Sequence, residues 1–316
     1  MNKGGAFKQL NLKIINYICL LCIFIFISSS CSPKEITPVG EGIKDSCGNS
    51  IQNDVKLHSS IIFYENQDEF VNKLYPQIKI IPWERERAGM KASEYAEVSE
   101  IIKNKPDAVI AMTDHMDERS CTISRKLHEA GIQPLFFEYK TVGQLEVVIQ
   151  KLGQIIGKDK VYVEWLNDLE KSKVRNAIGE SEPKKVYWEL AFQNDQAKKE
   201  NQAITLAQDS FFNDVLRLAG GTNIADAEIS DKENSYRLLS EKDIVRADPD
   251  IIFITKGSTE RSLKAQLMER NNWPHIKAVK NDKIFEVEQD TYYLVHVAES
   301  LLWIAEHINP DKFTGE

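Results

Sequence analysis

The sequence predicts an α/β protein of two lobes with mainly parallel sheets, joined by one long helix. Three observations carry this. Short β-rich apolar runs alternate with amphipathic helical stretches along most of the chain. A longer helical pattern divides that alternation in two. The two halves also echo each other: Glu100–Met112 aligns without gaps on Asp243–Thr255. Each copy reads as a helix, a Pro-Asp turn and a buried strand, with Pro106 and Pro249 ending the helix because the residue before proline avoids the α region.

The chain opens with a segment that is not part of this pattern. Lys3, Lys8 and Lys13 give a basic start without an acid, Ile14–Ile27 is apolar except for Asn16, and Ser28-Ser29-Ser30 precede Cys31. Fourteen helical residues span about 21 Å, short of a hydrocarbon core of about 30 Å. A charged end, an apolar middle and small residues before a cut make a secretory signal over 1–30. Residues 31–50 then supply Pro33, Pro38, Gly40, Gly42 and Gly48 with few large apolar groups, the composition of a tether.

The N-terminal lobe is expected over 51–157. Its strands are Ser60–Tyr64, Ile78–Ile81, Ala108–Met112 and Pro134–Glu138, and its helices are Asp68–Leu74, Glu94–Lys103 and Ser120–Ala130, the last stopped by Gly131. Thr141–Ile156 carries Val142, Leu145, Val148, Ile149, Leu152 and Ile155 at helical spacing. After Gly157 a second helical run, taken as 158–181, is the linking helix. The C-terminal lobe follows over 182–316, with strands at Lys185–Leu190, Ile251–Thr255 and Lys283–Val287. Helices are expected at Asp209–Ala219, stopped by Gly220-Gly221, and at Tyr292–Ile308, stopped by Asn309-Pro310.

Charge narrows the function. Lys and Arg number 40 against 48 Asp and Glu, a net charge of −8 that becomes −11 when the leader and its three lysines are removed. An acidic chain without a basic block is unsuited to nucleic acid. No G-x-S-x-G, H-E-x-x-H or Walker loop is present, so no catalytic motif points to an enzyme. Asp107 and Asp250 sit at helix-to-strand turns, where capping accounts for them. No Cys or His spacing suggests a resident metal, and no cofactor is expected. Cys19 and Cys22 leave with the leader. Cys47 and Cys121 remain, and outside the cytosol they either pair or stay as two thiols.

Several segments, in this order and spacing, resemble the substrate-binding lipoproteins of ABC importers for iron chelates, haem and cobalamin. They are Lys105–Ile110, Leu127–Pro134, Ser210–Leu216, Ala219–Ile224, Leu239–Ser240 with Asp248–Asp250, and Trp273–Val287. Ile43–Asn49 resembles that family's first short hairpin, and Cys31 after small residues resembles its lipobox, with Ser28 where Leu is usual. The resemblance implies two Rossmann-like lobes bridged by one rigid helix, lipid on Cys31, and a monomer outside the cytoplasm. It implies delivery of a metal chelate to a permease and its ATPase. The family docks its lobes through a Glu seven residues before each Pro-Asp proline. Here those positions are Ser99 and Lys242, and Glu97, Glu100, Glu241 and Asp243 beside them are the substitutes.

Ligands of such sheets meet the carboxyl ends of the strands. Those ends carry Tyr64, then Trp83 with Arg85 and Arg87, then His115, then Tyr139 in the first lobe. In the second lobe they carry Trp188 and Glu189, Lys256, and Asp290 with Tyr292. Tyr236 and Arg237 lie where the family often places a cleft aromatic. Trp83, Trp188 and Tyr236 can stack a flat ligand, while Arg85, Arg87, Arg237 and Lys256 can hold an anionic one. A ferric siderophore is the first expectation and a corrinoid or haem the second. The alternatives are a molybdate or tungstate carrier, or a chelatase-type two-lobed enzyme acting on a tetrapyrrole through His115 or Glu189.

Overall fold

A computed structural model describes residues 43–51, 57–64, 67–82, 94–158, 160, 171–190, 202–227, 236–256, 263–288, 291 and 296–313, the side chains of 94–97, 171–173, 227, 263 and 266 excepted. The leader, Cys31, and the site residues Trp83, Arg85, Arg87, Asp290 and Tyr292 lie outside the described residues, as does the side chain of Glu97.

The first lobe holds β1 (Ser59–Ile62), α1 (Asp68–Leu74), β2 (Lys79–Ile80), α2 (Glu94–Asn104), β3 (Ala108–Thr113), α3 (Glu118–Glu129), β4 (Gln133–Glu138) and α4 (Val142–Ile156). Its sheet runs β2-β1-β3-β4 and every pairing is parallel. In β3 the side chains of Ala108, Ile110 and Met112 enter one core cluster, and those of Val109 and Ala111 enter another. A strand covered on both faces needs no polar alternation, which is why it reads as an unbroken apolar run.

The second lobe holds α5 (Lys171–Ile178), β5 (Lys184–Glu189), β6 (Gln202–Leu206), α6 (Phe211–Leu218), β7 (Gly221–Asn223), β8 (Tyr236–Ser240), α7 (Glu241–Ala247), β9 (Ile251–Thr255), α8 (Leu263–Met268), α9 (Lys277–Lys280), β10 (Ile284–Val287) and α10 (Val297–Ile308). The sheet order is β10-β9-β5-β6-β8, with β7 beside β5. β10, β9, β5 and β7 are mutually parallel, while β6 runs antiparallel to β5 and to β8, so this sheet is mixed. The sequence pattern missed β6, β7 and β8.

The internal echo is structural. Glu100–Met112 spans the end of α2 and β3, and Asp243–Thr255 spans α7 and β9. Lys105 and Asp248, each just before the proline, take left-handed backbone with φ of 48° and 50°. That turn breaks the helix and leaves the Pro-Asp pair to lead into the strand.

One apolar cluster is common to both lobes. It takes Met112, Leu135, Phe137 and Tyr139 from the first, and Trp188, Phe211, Phe253 and Leu301 from the second. α4 contributes Leu145, Ile149 and Leu152 and packs on α6. Each such buried side chain stabilises the fold by about 1.5–3 kcal/mol. Thr141 caps α4, its Oγ1 accepting from the Gln144 N–H at 3.1 Å, and Gly157 ends it in left-handed backbone. Of 158–181, the described part is Lys158, residue 160, α5 and the turn to Ser181, with Val174 and Ile178 of α5 in the shared core.

Gly220-Gly221 is required by space as well as by conformation. Gly220 has φ of 89°, and a Cβ on Gly221 would lie 2.9 Å from Leu216 Cδ1 and 3.1 Å from Ile308 Cδ1. A side chain at 221 would press on both flanking helices.

Candidate functional site at the strand ends

The parallel strands of the first lobe end in a linked rim. Tyr64 follows β1 and is half-buried, its hydroxyl 2.9 Å from Ser120 Oγ in α3. After β3, the His115 N–H donates to Thr113 Oγ1 at 3.2 Å, leaving the imidazole half-buried in the loop. Asp117 caps α3 by accepting the Ser120 N–H at 2.7 Å. Burial works to raise the Asp117 pKa, but its bonds to Ser120 and the nearby His115 and Arg119 outweigh that and lower it. At the end of β4, Glu138 Oε1 accepts the Met116 N–H at 3.1 Å. These bonds tie the ends of β1, β3 and β4 through one loop.

The hairpin at 43–51 closes the same edge. Lys44 and Ser50 pair antiparallel, the Ser46 N–H donates to the Phe136 carbonyl at 2.8 Å, and Ser46 Oγ accepts the Glu138 N–H at 2.8 Å. Cys47 and Cys121 form a disulfide, which settles the alternative left open by the sequence.

Tyr139 marks where the two lobes meet. Its ring packs edge-on against Phe211 at 4.9 Å. It is buried, and that burial, with Asp114 nearby, holds its phenol well above the ordinary range. Beside it the Val142 N–H at the start of α4 donates to Asp214 Oδ2 of α6 at 2.9 Å. Tyr139 is thus a packing residue between lobes, not an open cleft aromatic.

The second lobe corrects several expectations. Trp188 is fully buried, with Nε1 donating to Thr255 Oγ1 at 3.2 Å and its ring on Phe253, so it offers no face for stacking. Glu189, next in the strand, points to the opposite face. There Arg270 grips it with a two-pronged bond, Nη1 to Oε2 at 2.7 Å and Nη2 to Oε1 at 2.6 Å. The Tyr187 hydroxyl donates to the same carboxylate at 3.0 Å, and the guanidinium lies over the Trp273 ring at 4.6 Å. Burial opposes the Arg270 charge, yet Glu189 outweighs it and the pKa is raised. The Glu189 carboxylate is thus held by three hydrogen bonds from Arg270 and Tyr187.

Strand alternation separates Tyr236 from Arg237 as well. Arg237 Nη1 donates to the Ala225 carbonyl at 3.1 Å, on the outer side with Leu239. Tyr236 is 39% exposed and lies opposite Leu206, on the side of the shared core. The two side chains therefore do not share one face, and Arg237 is engaged by backbone. Lys256 follows β9 and is joined to Glu288, whose hydrogen bond chiefly raises its pKa. Its charge is already answered.

Of the expected docking residues, Glu100 pairs with Lys103 at 2.8 Å. Ser240 caps α7 by accepting the Asp243 N–H at 3.2 Å, the Asp243 carboxylate accepts from Ser240 Oγ and pairs with Arg246 at 2.8 Å, and Glu241 lies 3.9 Å from Arg270 Nε. The Glu241 and Asp243 carboxylates are thus engaged within their own lobe.

Among the described residues, cavities adjoin the second sheet at both its ends. One of about 510 Å³ is lined by Lys185, Thr222, Asp226, Leu239 and Arg246, at the amino end of β5. The other, about 480 Å³, sits at the carboxyl end of β10 and is lined by Glu286, Glu288, Thr291, His296, Glu299 and Trp303. Topology favours the second, since ligands of parallel sheets bind at carboxyl ends. The sequence reading singled out none of these residues. The available signal was their position around Asp290 and Tyr292, between the last strand and the last helix. Among the described residues no group of three or more His, Cys, Asp or Glu is placed to hold a metal ion.

Comparison with known proteins agrees with this architecture. The family model described as periplasmic binding protein matches residues 83–291. An uncharacterized ABC transporter substrate-binding lipoprotein, YvrC of Bacillus subtilis, is 26% identical over 226 residues, covering 68% of this chain and 66% of the relative. A vitamin B12-binding protein of Vibrio cholerae is 24% identical over 195 residues, covering 61% and 64%. The chain thus spans just under two thirds of these curated relatives. A possible iron-binding, periplasmic solute-binding protein of Staphylococcus epidermidis superposes with a TM-score of 0.60 at 19% identity, over 80% of this chain and 99% of that one. These relatives are named as solute-binding proteins, not as enzymes.

Proposed function

Because the chain belongs to the periplasmic binding protein family, we propose that it captures a metal chelate at the strand ends of its lobes and hands it to an ABC permease and its ATPase. It does so outside the cytoplasm, anchored by lipid on Cys31. The Cys47–Cys121 disulfide suits an oxidising compartment. No helix among the described residues is long and apolar enough to cross a membrane.

The observation that carries the cargo reading is the cavity at the end of β10. Glu286, Glu288 and Glu299 line it together with Trp303 and His296; Glu286 accepts the Lys264 N–H at 3.4 Å and Glu288 holds the adjacent Lys256. With Glu288 engaged by Lys256, Glu286 and Glu299 leave the lining acidic, which favours hydrogen-bond donors and positive charge over an anionic chelate. The cargo is therefore a corrinoid, with its peripheral amides, or a ferric siderophore that is neutral or cationic. The oxyanion alternative loses ground for the same reason.

Calorimetric titration of the purified protein tests this, with cyanocobalamin, a cationic ferric trihydroxamate, ferric citrate and molybdate as probes. Saturable binding of either of the first two, with none of the last two, is the expected result. Binding of ferric citrate or molybdate alone would overturn the cargo reading.

A further inference from the structure

We propose that the Cys47–Cys121 disulfide is a redox-released clamp on the strand-end rim of the first lobe. The bond joins the hairpin at 43–51 to the first turn of α3. That turn is where the rim is organised, through Asp117 with Ser120 and through Ser120 with Tyr64. The loop it anchors, Thr113–Asp117, carries His115.

A second, non-covalent grip holds the hairpin one turn further along α3. Asp45 is buried, and its Oδ1 accepts the Cys47 and Asn49 N–H groups at 3.0 and 2.8 Å. Its Oδ2 accepts from Ser124 Oγ at 3.1 Å and Asn49 Nδ2 at 3.0 Å, and Asn49 Nδ2 lies 2.7 Å from Ser124 Oγ. Ser46 fixes the hairpin to β4 independently. The hairpin is therefore seated without the disulfide. What the disulfide adds is restraint on the first turn of α3 and on the loop before it. Neither cysteine is sealed in the core, since both are partly exposed.

Release requires a dithiol reductant. Its thiolate attacks one Sγ, the Cys47–Cys121 bond breaks and the departing thiolate takes a proton. The second thiol of the reductant resolves the mixed disulfide. The protein gains two electrons and two protons, and the reductant leaves as its own disulfide. The first turn of α3 and the Thr113–Asp117 loop then open locally while the sheet stays folded.

Hydrogen exchange on the full chain, oxidised and after dithiothreitol, is the test. No cargo is present, so the outcome is separate from that of the proposed function. Exchange at least tenfold faster in 114–121, unchanged in β3 and β4, and restored by oxidised glutathione is the expected result. The proposal is overturned if the native disulfide resists the dithiol or if 114–121 exchanges at the oxidised rate. Faster exchange spread through β3 and β4 would overturn it too, since the bond would then staple the whole lobe. Cys121→Ser should reproduce the reduced pattern, and reduced wild type serves alone if that variant does not fold.

Discussion

Asp107 and Asp250 make the same bond in the two lobes. Asp107 Oδ2 accepts the Ser59 N–H at 2.8 Å, at the start of β1, and Asp250 Oδ2 accepts the Lys185 N–H at 3.0 Å, at the start of β5. Each follows a proline that ends the preceding helix, and each joins its own strand to the parallel neighbour. The repeated motif is a latch that sets strand register twice.

Replacing either aspartate by alanine should cost about 1 kcal/mol, the usual net value of one such hydrogen bond. The sites lie in different lobes, so the double variant should be additive. Asp107 supplies a pH test. Burial works to raise its pKa, but the His58 and Ser59 N–H bonds prevail and lower it. A carboxyl lowered in the folded state contributes stability above its unfolded pKa of about 3.9 and loses it as pH falls through the folded value. The deficit of Asp107→Ala in denaturant unfolding should thus be full at pH 7 and shrink below about pH 4.

The cross-lobe bond from Val142 to Asp214 predicts a local effect. Asp214→Ala leaves an orphan N–H at the start of α4 and should cost about 1 kcal/mol. Amide exchange at Val142 should quicken while that of β9 does not change. Asp214→Asn, which keeps an acceptor, should restore most of the protection.

Arg270 is predicted to be structural. Its pair with Glu189 is partly exposed, so Arg270→Ala should cost about 2 kcal/mol, less than the 3–5 kcal/mol of a fully buried pair. Lysine keeps the charge but not the fork, and Arg270→Lys should recover less than half. Thermal unfolding of the three proteins checks the order.

Gly221→Ala should destabilise by about 1–3 kcal/mol through overpacking against Leu216 and Ile308. Chemical denaturation measures it, and a neutral result would mean that both helices shift freely.

The parallel frame was legible because strands such as β3 and β9 are buried on both faces and flanked by proline and helix caps. β6 and β8 were not. Gln202–Leu206 and Tyr236–Ser240 pair mainly with each other, in a register fixed by non-local contact and not by their own composition. The site was legible at the level of strand ends. The sequence located Trp188 and Glu189 at the end of β5 but could not say which face each takes. It also showed Arg237 and Lys256 as free cations, because the partners Ala225 and Glu288 are distant in the chain. The acidic cavity beside β10 gathers residues of a strand, a loop and a helix, and only the fold collects them.

The most direct test of the account maps a bound chelate by hydrogen exchange, using whichever probe titrates. The account predicts slowed exchange at the strand ends, in Thr113–Asp117, Tyr236–Ser240 and Glu286–Ser300. Protection confined instead to Lys185, Thr222–Asp226 and Arg246, around the cavity at the amino end of β5, would contradict it.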